Sequence, residues 1–136
     1  MQVRFVAGVT PIVESAASAR EFYGEKLGLP LQTVEGDYAV AELDGLKHFG
    51  LWTLKDAAMS TFGREEWPAD LPRPQVTIEF EVDDVEAAVE ELKARGVKFV
   101  QETKLEPWGQ TTARALTPEG ILLGLTYTPW LREARS

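Results

Sequence analysis

The sequence contains no cysteine, only one histidine and no long hydrophobic run. Without cysteine, disulfide bonds, thiolate nucleophiles and cysteine-ligated zinc sites are excluded. No segment approaches the roughly 18 apolar residues that a membrane span requires. The first residues, MQVRFVAGVTPIVES, lack the layout of a signal peptide. We therefore expect a cytoplasmic protein that has no membrane partner.

Basic residues are also scarce relative to acidic ones: 14 Lys and Arg stand against 22 Asp and Glu, and the net charge is -8 at pH 7. Nucleic acid is not expected as a partner, because binding to its phosphates relies on basic side chains that release counterions. An acidic protein suits neutral or cationic ligands, although acidity also simply keeps a protein soluble. The 136 residues leave room for one domain.

The strongest pattern that is present is an internal repeat. Residues 13–32, VESAASAREFYGEKLGLPLQ, and residues 82–101, VDDVEAAVEELKARGVKFVQ, share an acidic start, an alanine-rich helical stretch, a glycine and a short apolar strand. The first copy has one more residue than the second between its start and its glycine. Gly28 and Gly96 are expected to end the two helices. The repeat predicts two copies of one structural module.

Apolar residues follow the helical period in both copies. The predicted stripes contain Ala16, Ala19, Phe22, Tyr23 and Leu27 in the first helix, and Val85, Ala88, Val89 and Leu92 in the second. One strand precedes each helix and three follow it. In the strand at residues 75–82, apolar residues alternate with Gln75, Thr77, Glu79 and Glu81, so only its apolar face is expected to belong to the core.

These elements predict an α+β fold of two tandem βαβββ modules. Module one spans residues 1–54 and module two spans residues 75–130, with a tail at 131–136. The linker at 55–74 holds three of the eight prolines, and we expect a short helix near residues 55–62 at its start.

Three segments carry a resemblance to a known family: FYGEKLGLPL at 22–31, FEVDDVEAAVEELKARGVKFV at 80–100 and PWGQTTARALTPEGILLGL at 107–125. With them the chain resembles the vicinal oxygen chelate superfamily, also called the glyoxalase, bleomycin resistance protein and extradiol dioxygenase superfamily. The resemblance covers nearly the whole chain. It implies one domain over residues 1–136, whose two modules form a cupped mixed β-sheet, and a homodimer as the expected assembly.

The resemblance also locates the positions where enzymes of that superfamily hold a divalent metal ion. They use His, Gln or Glu side chains from the first and last strands of each module, and those positions here are Gly8, Gly50, Thr77 and Gly124. Glycine has no ligating side chain and one threonine hydroxyl is a poor ligand, so neither a metal nor another cofactor is expected. The glycines either permit strand curvature or enlarge the cup for a bulky ligand.

Two polar residues are candidates for acid/base chemistry or ligand binding. His48, on the same strand face as Gly50 and Trp52, is either a hydrogen-bonding group or general base in the cup, or a polar residue at its rim. Glu79 either projects into the cup or is a solvated carboxylate. If buried, it needs a cation or hydrogen-bond donors nearby.

Aromatic residues supply the predicted walls of the pocket. Trp67 and Trp108 lie among prolines and polar residues, in loops where core burial is less expected. The complete set of predicted ligand-contacting residues is Thr10, His48, Phe49, Gly50, Trp52, Phe62, Thr77, Glu79, Trp108 and Gly124.

Three functions remain open at this point. The first is metal-independent binding and sequestration of a small aromatic or cationic organic molecule, such as an antibiotic or secondary metabolite. The second is a lyase, isomerase or dioxygenase that uses an unrecognised ligand set, or His48 and Glu79 as acid and base. The third is a regulatory or dimerisation module whose cup has lost its role.

Overall fold

The first half of the chain forms one strand, one helix and three more strands. The structure, a computed structural model, describes residues 1–133, so the last three residues of the predicted tail lie outside it. The elements are β1 (Phe5–Val13), α1 (Ala16–Arg20) with a π-helical continuation (Glu21–Lys26), β2 (Gln32–Glu35), β3 (Tyr38–Leu43) and β4 (Leu46–Thr53).

The second half repeats the same order of elements after an intervening helix. That helix is α2 (Leu54–Phe62), which begins one residue before the predicted segment. The following elements are β5 (Val76–Glu81), α3 (Val85–Ala94), β6 (Phe99–Leu105), β7 (Thr111–Leu116), β8 (Leu122–Tyr127) and α4 (Pro129–Glu133). The predicted α+β fold with two βαβββ units is confirmed.

All eight strands form one mixed sheet in the order β2-β3-β4-β1-β5-β8-β7-β6. The two halves join through β1 and β5, which pair antiparallel, while each of them pairs parallel with the last strand of its own half. The sheet is open, with β2 and β6 at its edges. We call the face opposite α1 and α3 the cup.

Helix α3 covers the second half of the sheet as the repeat predicts. Val85, Ala88 and Val89 are buried together with Ala113 and Leu125. Asp84 caps the helix, accepting a hydrogen bond from the backbone N of Ala87 at 3.0 Å.

The helix of the first half differs from this pattern. Ala19 is buried, but Phe22 and Leu27 are 51% and 56% exposed, so their predicted place in the apolar stripe is wrong. The physical reason is the π-helical turn at Glu21–Lys26. A π-helical turn holds one extra residue and rotates the residues after it. It also accommodates the additional residue that separates the first copy of the repeat from the second.

The polar face of β5 also carries buried residues, which corrects the expectation that only its apolar face belongs to the core. Glu81 has no exposed surface. Its carboxylate accepts hydrogen bonds from the backbone N of Thr128 at 2.6 Å, the hydroxyl of Thr126 at 2.9 Å and Nε of Arg132 at 2.9 Å. These donors replace the water that Glu81 loses on burial.

Helix α2 and the segment after it fold back onto one end of the cup. Ala57 and Ala58 pack there with Ile12 and Leu122. The expectation for Trp67 is wrong, because this residue is buried in the same cluster and its indole N–H donates to the carbonyl of Pro72 at 2.9 Å. Among residues 1–133, no helix is both long and apolar enough to cross a membrane.

Candidate functional site

The centre of the cup is a row of residues that crosses four adjacent strands. Gly8 on β1 pairs with Glu79 on β5, Glu79 pairs with Gly124 on β8, and Gly124 pairs with Arg114 on β7. Directly paired residues point to the same face of a sheet. Glu79 therefore lies between two glycines, and Arg114 lies beyond the second of them.

The Glu79 side chain extends over both neighbouring glycines. A Cβ atom added at Gly8 would lie 3.4 Å from Oε1 of Glu79, and one added at Gly124 would lie 3.1 Å from its Cγ. Nε2 of Gln110 donates to Oε1 at 3.4 Å. Burial raises the pKa of the Glu79 carboxyl, and the Arg114 charge and the Gln110 hydrogen bond oppose that rise.

The equivalent position in the first half, Gly50, is covered by Tyr38. A Cβ atom at residue 50 would lie 2.8 Å from Cζ of Tyr38. The Tyr38 hydroxyl is hydrogen-bonded to Nε2 of His48, and the two rings are stacked with an interplanar angle of 13°. The space above Gly50 and Gly124 therefore holds Tyr38 and Glu79, which differs from the expectation that these glycines leave room for a bulky ligand.

The protonation states of Tyr38 and His48 follow from their burial. Burial raises the pKa of the Tyr38 hydroxyl, and the nearby charge of Glu79 raises it further. Burial lowers the pKa of His48. At neutral pH the tyrosine hydroxyl is thus protonated and the imidazole is neutral, and the tautomer of the ring decides which of the two groups donates. The hydroxyl of Thr10 lies beside this pair and partly offsets the rise in the Tyr38 pKa.

Arg114 is a buried cation that the sequence reading missed. It is 1% exposed, and its Nη1 donates to Oε1 of Gln101 at 2.6 Å and to Oγ of Ser60 at 2.8 Å. Its Nη2 lies 3.5 Å from Oε2 of the buried Glu106, and its guanidinium carbon lies 5.2 Å from the centre of the Trp52 ring. The strand alternation of TTARAL places Arg114 on the cup face, so this one signal was present in the sequence.

Trp108 is an exposed tryptophan that is linked to Glu79 through Gln110. Its side chain is 49% exposed, and its indole N–H donates to Oε1 of Gln110 at 2.9 Å. Nε2 of Gln110 in turn donates to Thr128 at 2.9 Å and to Glu79. Gln110 therefore holds an accessible aromatic ring in a fixed relation to the carboxylate.

Three other predicted site residues lie elsewhere or are already engaged. Phe49 is on the opposite face, where its ring centre is 6.0 Å from that of Tyr23, because the alternation of β4 points it away from His48 and Gly50. Phe62 packs edge-on against Trp67 at 4.9 Å, within the cluster under α2. The buried Thr77 hydroxyl donates to the carbonyl of Leu122 at 2.7 Å.

The side chains of the cup do not fit the metal-binding set that the resemblance implies. Within the described part of the chain, no group of three or more His, Cys, Asp and Glu side chains is placed to hold a metal ion. The ring nitrogen Nε2 of His48 is hydrogen-bonded to Tyr38, and Glu79 is the one carboxylate in the row. Divalent ions in such sites need several oxygen or nitrogen ligands.

Comparisons with known proteins agree with this architecture. The family model described as the Glyoxalase/Bleomycin resistance protein/Dioxygenase superfamily matches residues 9–125. No curated protein matches the chain.

Three solved structures illustrate the similarity of fold. A superfamily member from Vibrio splendidus 12B01 is 17% identical, with 93% of this chain and 100% of that chain covered and a TM-score of 0.59. An NAD-dependent benzaldehyde dehydrogenase from Legionella pneumophila is 17% identical, with 88% and 96% covered and a TM-score of 0.62. Methylmalonyl-CoA epimerase from Streptomyces coelicolor is 15% identical, with 93% and 96% covered and a TM-score of 0.60. At these identities the similarity concerns the fold alone.

Proposed function

The chain belongs to the glyoxalase/bleomycin resistance protein/dioxygenase superfamily, and on that premise we propose that it binds a small aromatic organic cation in its cup without using a metal ion. An antibiotic or secondary metabolite with a basic group and a flat ring has this chemistry. The single observation that carries the proposal is that the partly buried carboxylate of Glu79 has, among the described residues, one long hydrogen bond and no positive charge paired with it.

Glu79 is a carboxylate with too few partners for its surroundings. Among residues 1–133 its one hydrogen bond comes from Gln110, at 3.4 Å. The nearest buried cation in its row, Arg114, is already bonded to Gln101 and Ser60 and paired with Glu106. A partly buried carboxylate is costly unless a positive charge or donors compensate it. A cationic ligand supplies that missing charge.

Trp108 explains why an aromatic cation fits better than a simple one. Its half-exposed ring is connected to Glu79 through Gln110, and the proposed ligand contacts both groups. A cation over an indole face gains about 0.5–2 kcal/mol, depending on desolvation. A flat ring stacked on Trp108 adds apolar contact area.

The residues at the four family ligand positions support the proposal that no metal ion is used. Three of the four family ligand positions are glycine, and the fourth, Thr77, uses its hydroxyl to bond a backbone carbonyl. The charge of Arg114 at the end of the row also opposes a second cation at that end.

An acid/base enzyme is the second candidate, and one observation favours it. Glu79 has a raised pKa and lies on the same face as the hydrogen-bonded Tyr38 and His48 pair. A carboxylate with a raised pKa is suited to proton transfer near neutral pH. Mass spectrometry of a bound ligand after incubation separates the candidates, because an unchanged ligand supports binding and a converted one supports catalysis.

The test of the binding proposal is a titration followed by tryptophan fluorescence. The probes are a panel of arylalkylamines, which are cationic at neutral pH, each matched with its neutral N-acetyl analogue. We expect quenching by the amines, with each acetylated analogue about tenfold weaker, because a hydrogen bond to a charged group contributes about 1.5–3 kcal/mol. Trp108→Phe should remove most of the quenching.

The Glu79→Gln variant tests the electrostatic part directly. It should weaken binding of the amines by about tenfold, while Glu119→Gln, which changes an exposed turn carboxylate, should not. Amine affinity of the unaltered protein should rise as pH increases through the raised pKa of Glu79, because only the ionised carboxylate attracts a cation. Equal affinity in Glu79→Gln would remove this residue from the site and refute the proposal.

A further inference from the structure

A second concave region lies on the opposite face of the sheet from the cup. It is a groove of about 410 Å³ between α1 with its π-helical continuation and the strands β2 and β3. The residues that leave this space open are small: Ala17, Gly24, Thr33 and Ala39. Ala39 pairs with Leu51, the neighbour of Gly50 on β4, so the groove and the cup are on different faces.

Arg20 lines the groove, and two of its nitrogen atoms lack a hydrogen-bond acceptor within the described part of the chain. Its Nε and Nη2 atoms are buried, and neither has a hydrogen-bond partner among residues 1–133. A guanidinium group presents five N–H donors and keeps its charge in proteins. Leaving such donors buried without acceptors costs free energy, and native structures rarely do so. The position therefore lacks an acceptor that the chain itself does not provide.

The internal repeat shows that the fold does not need a cation at this position. Aligning Val13 with Val82 places the helix caps Ser15 and Asp84 together, and it places Arg20 opposite Val89. Val89 is fully buried in the apolar cluster under α3. The first half thus carries a guanidinium where the second half carries an aliphatic core residue.

The charges around the groove restrict what it can hold. Glu21 and Glu25 line it together with Arg20. A simple anion would meet the carboxylates of Glu21 and Glu25 beside one guanidinium, although Oε1 of Glu21 also lies 3.8 Å from Nζ of the exposed Lys26. A simple cation would leave Arg20 without an acceptor. A molecule with both a carboxylate and an ammonium group matches both signs of charge. Leu29 and Leu31 supply apolar surface beside these groups.

We propose that this groove binds a small zwitterionic amino-carboxylate, with the ligand carboxylate on Arg20 and its ammonium group directed to Glu21 and Glu25. Guanidinium and carboxylate form paired N–H···O hydrogen bonds, which are among the stronger polar contacts in proteins. The site is independent of the cup and of any ligand bound there.

The first test uses three probes of matched shape on the complete, unaltered protein. Leucine carries both charged groups, isocaproate lacks the ammonium group and isoamylamine lacks the carboxylate. Calorimetric titration should show leucine binding about tenfold or more tightly than either analogue, because each analogue leaves one set of charges unmatched. No detectable leucine binding overturns the proposal, and so does isocaproate binding as tightly as leucine.

The second test replaces Arg20 with the residue found in the other half of the repeat. Arg20→Val should abolish leucine binding and also raise the melting temperature, because an aliphatic side chain replaces two buried nitrogens that have no hydrogen-bond partner among the described residues. The control Arg73→Val removes an exposed arginine and should change neither property. Unchanged leucine affinity in Arg20→Val overturns the proposal. If that variant does not fold, the three-probe series on the unaltered protein still decides the outcome.

Discussion

Substitution of Gly50 by alanine should disrupt the cup through a single atom. The added Cβ would lie 2.8 Å from Cζ of Tyr38, closer than such atoms approach in proteins, so the tyrosine ring must move. Moving it breaks the hydrogen bond between the Tyr38 hydroxyl and His48. Gly50 has an ordinary negative φ angle, so backbone strain does not contribute to the effect.

The expected cost combines two effects. Overpacking a filled site costs about 1–3 kcal/mol, and the lost hydrogen bond costs about 1 kcal/mol more. The free energy of unfolding should therefore fall by about 2–4 kcal/mol. For a domain of 136 residues this corresponds to a decrease of roughly 8–16 °C in melting temperature.

Urea denaturation and a double-mutant comparison measure this effect. Gly50→Ala in a Tyr38→Ala background should cost less than about 1 kcal/mol, because the ring that causes the clash is absent. The control is Gly8→Ala, whose Cβ would meet its nearest atoms at 3.4 Å and should be tolerated. In Gly50→Ala the NMR-measured pKa of His48, which burial lowers, should return toward its ordinary value as water enters.

Two results would contradict this reasoning. One is a Gly50→Ala variant as stable as the unaltered protein. The other is an equal loss of stability with and without the Tyr38 ring, since that would show that the cost comes from the strand and not from the ring above it.

Three further predictions concern a residue on the helix-covered face of the sheet, the stability of the protein at acidic pH and the metal bound to the purified protein. Phe49→Ala should lower the free energy of unfolding by about 2 kcal/mol, which is less than the loss expected for a fully buried phenylalanine. Ligand affinity in the cup should not change, because Phe49 packs on Tyr23 on the opposite face. A loss of ligand affinity would contradict this placement of Phe49. Arg4 and Arg132 lower the pKa of Asp83 from 3.8 to about 2, so the stabilisation from its ion pairs should be present above pH 3.8 and be lost as pH falls toward 2. Asp83→Asn should therefore flatten the curve of unfolding free energy against pH in that range. An unchanged curve would argue against the ion pairs. Elemental mass spectrometry of purified protein should find no stoichiometric metal, and one tightly bound iron, nickel or zinc ion per chain would refute metal independence.

The parts of the fold that depend on local pattern were predictable from the sequence. Strand alternation and glycine-terminated helices repeat in both halves, and α2 was placed within one residue of its observed start. The structure differs from the predictions where tertiary packing, and not local sequence, determines the conformation or the burial of a residue. The turn at Glu21–Lys26 takes a π-helical form that exposes Phe22, and Trp67 is buried because its segment folds back onto the sheet. Neither feature has a distinctive local pattern.

The candidate site was predictable only in its strand positions. The family resemblance predicts Gly8, Gly50 and Gly124 in the cup, and the alternation of β5 gives Glu79 a place in the cup as one of two alternatives. The partners of these residues come from the order of the strands instead. Tyr38 reaches Gly50 because β3 pairs with β4, and Arg114 joins the row because β7 pairs with β8. Such neighbours become visible only when the cross-strand register is known.

The cross-strand register shows that the glycines of the cup make room for side chains from neighbouring strands. Each glycine and the side chain above it form one unit, since the ring of Tyr38 fits only over a residue without Cβ, and Glu79 lies against both Gly8 and Gly124. Restoring one metal ligand at Gly50 would therefore place its side chain where Tyr38 now lies. A metal-binding cup would require the ligand to be restored and the overlying side chain to be removed together. The polar groups of this cup are hydrogen-bonded to one another instead, with Tyr38 bonded to His48 and Gln110 bonded to Glu79.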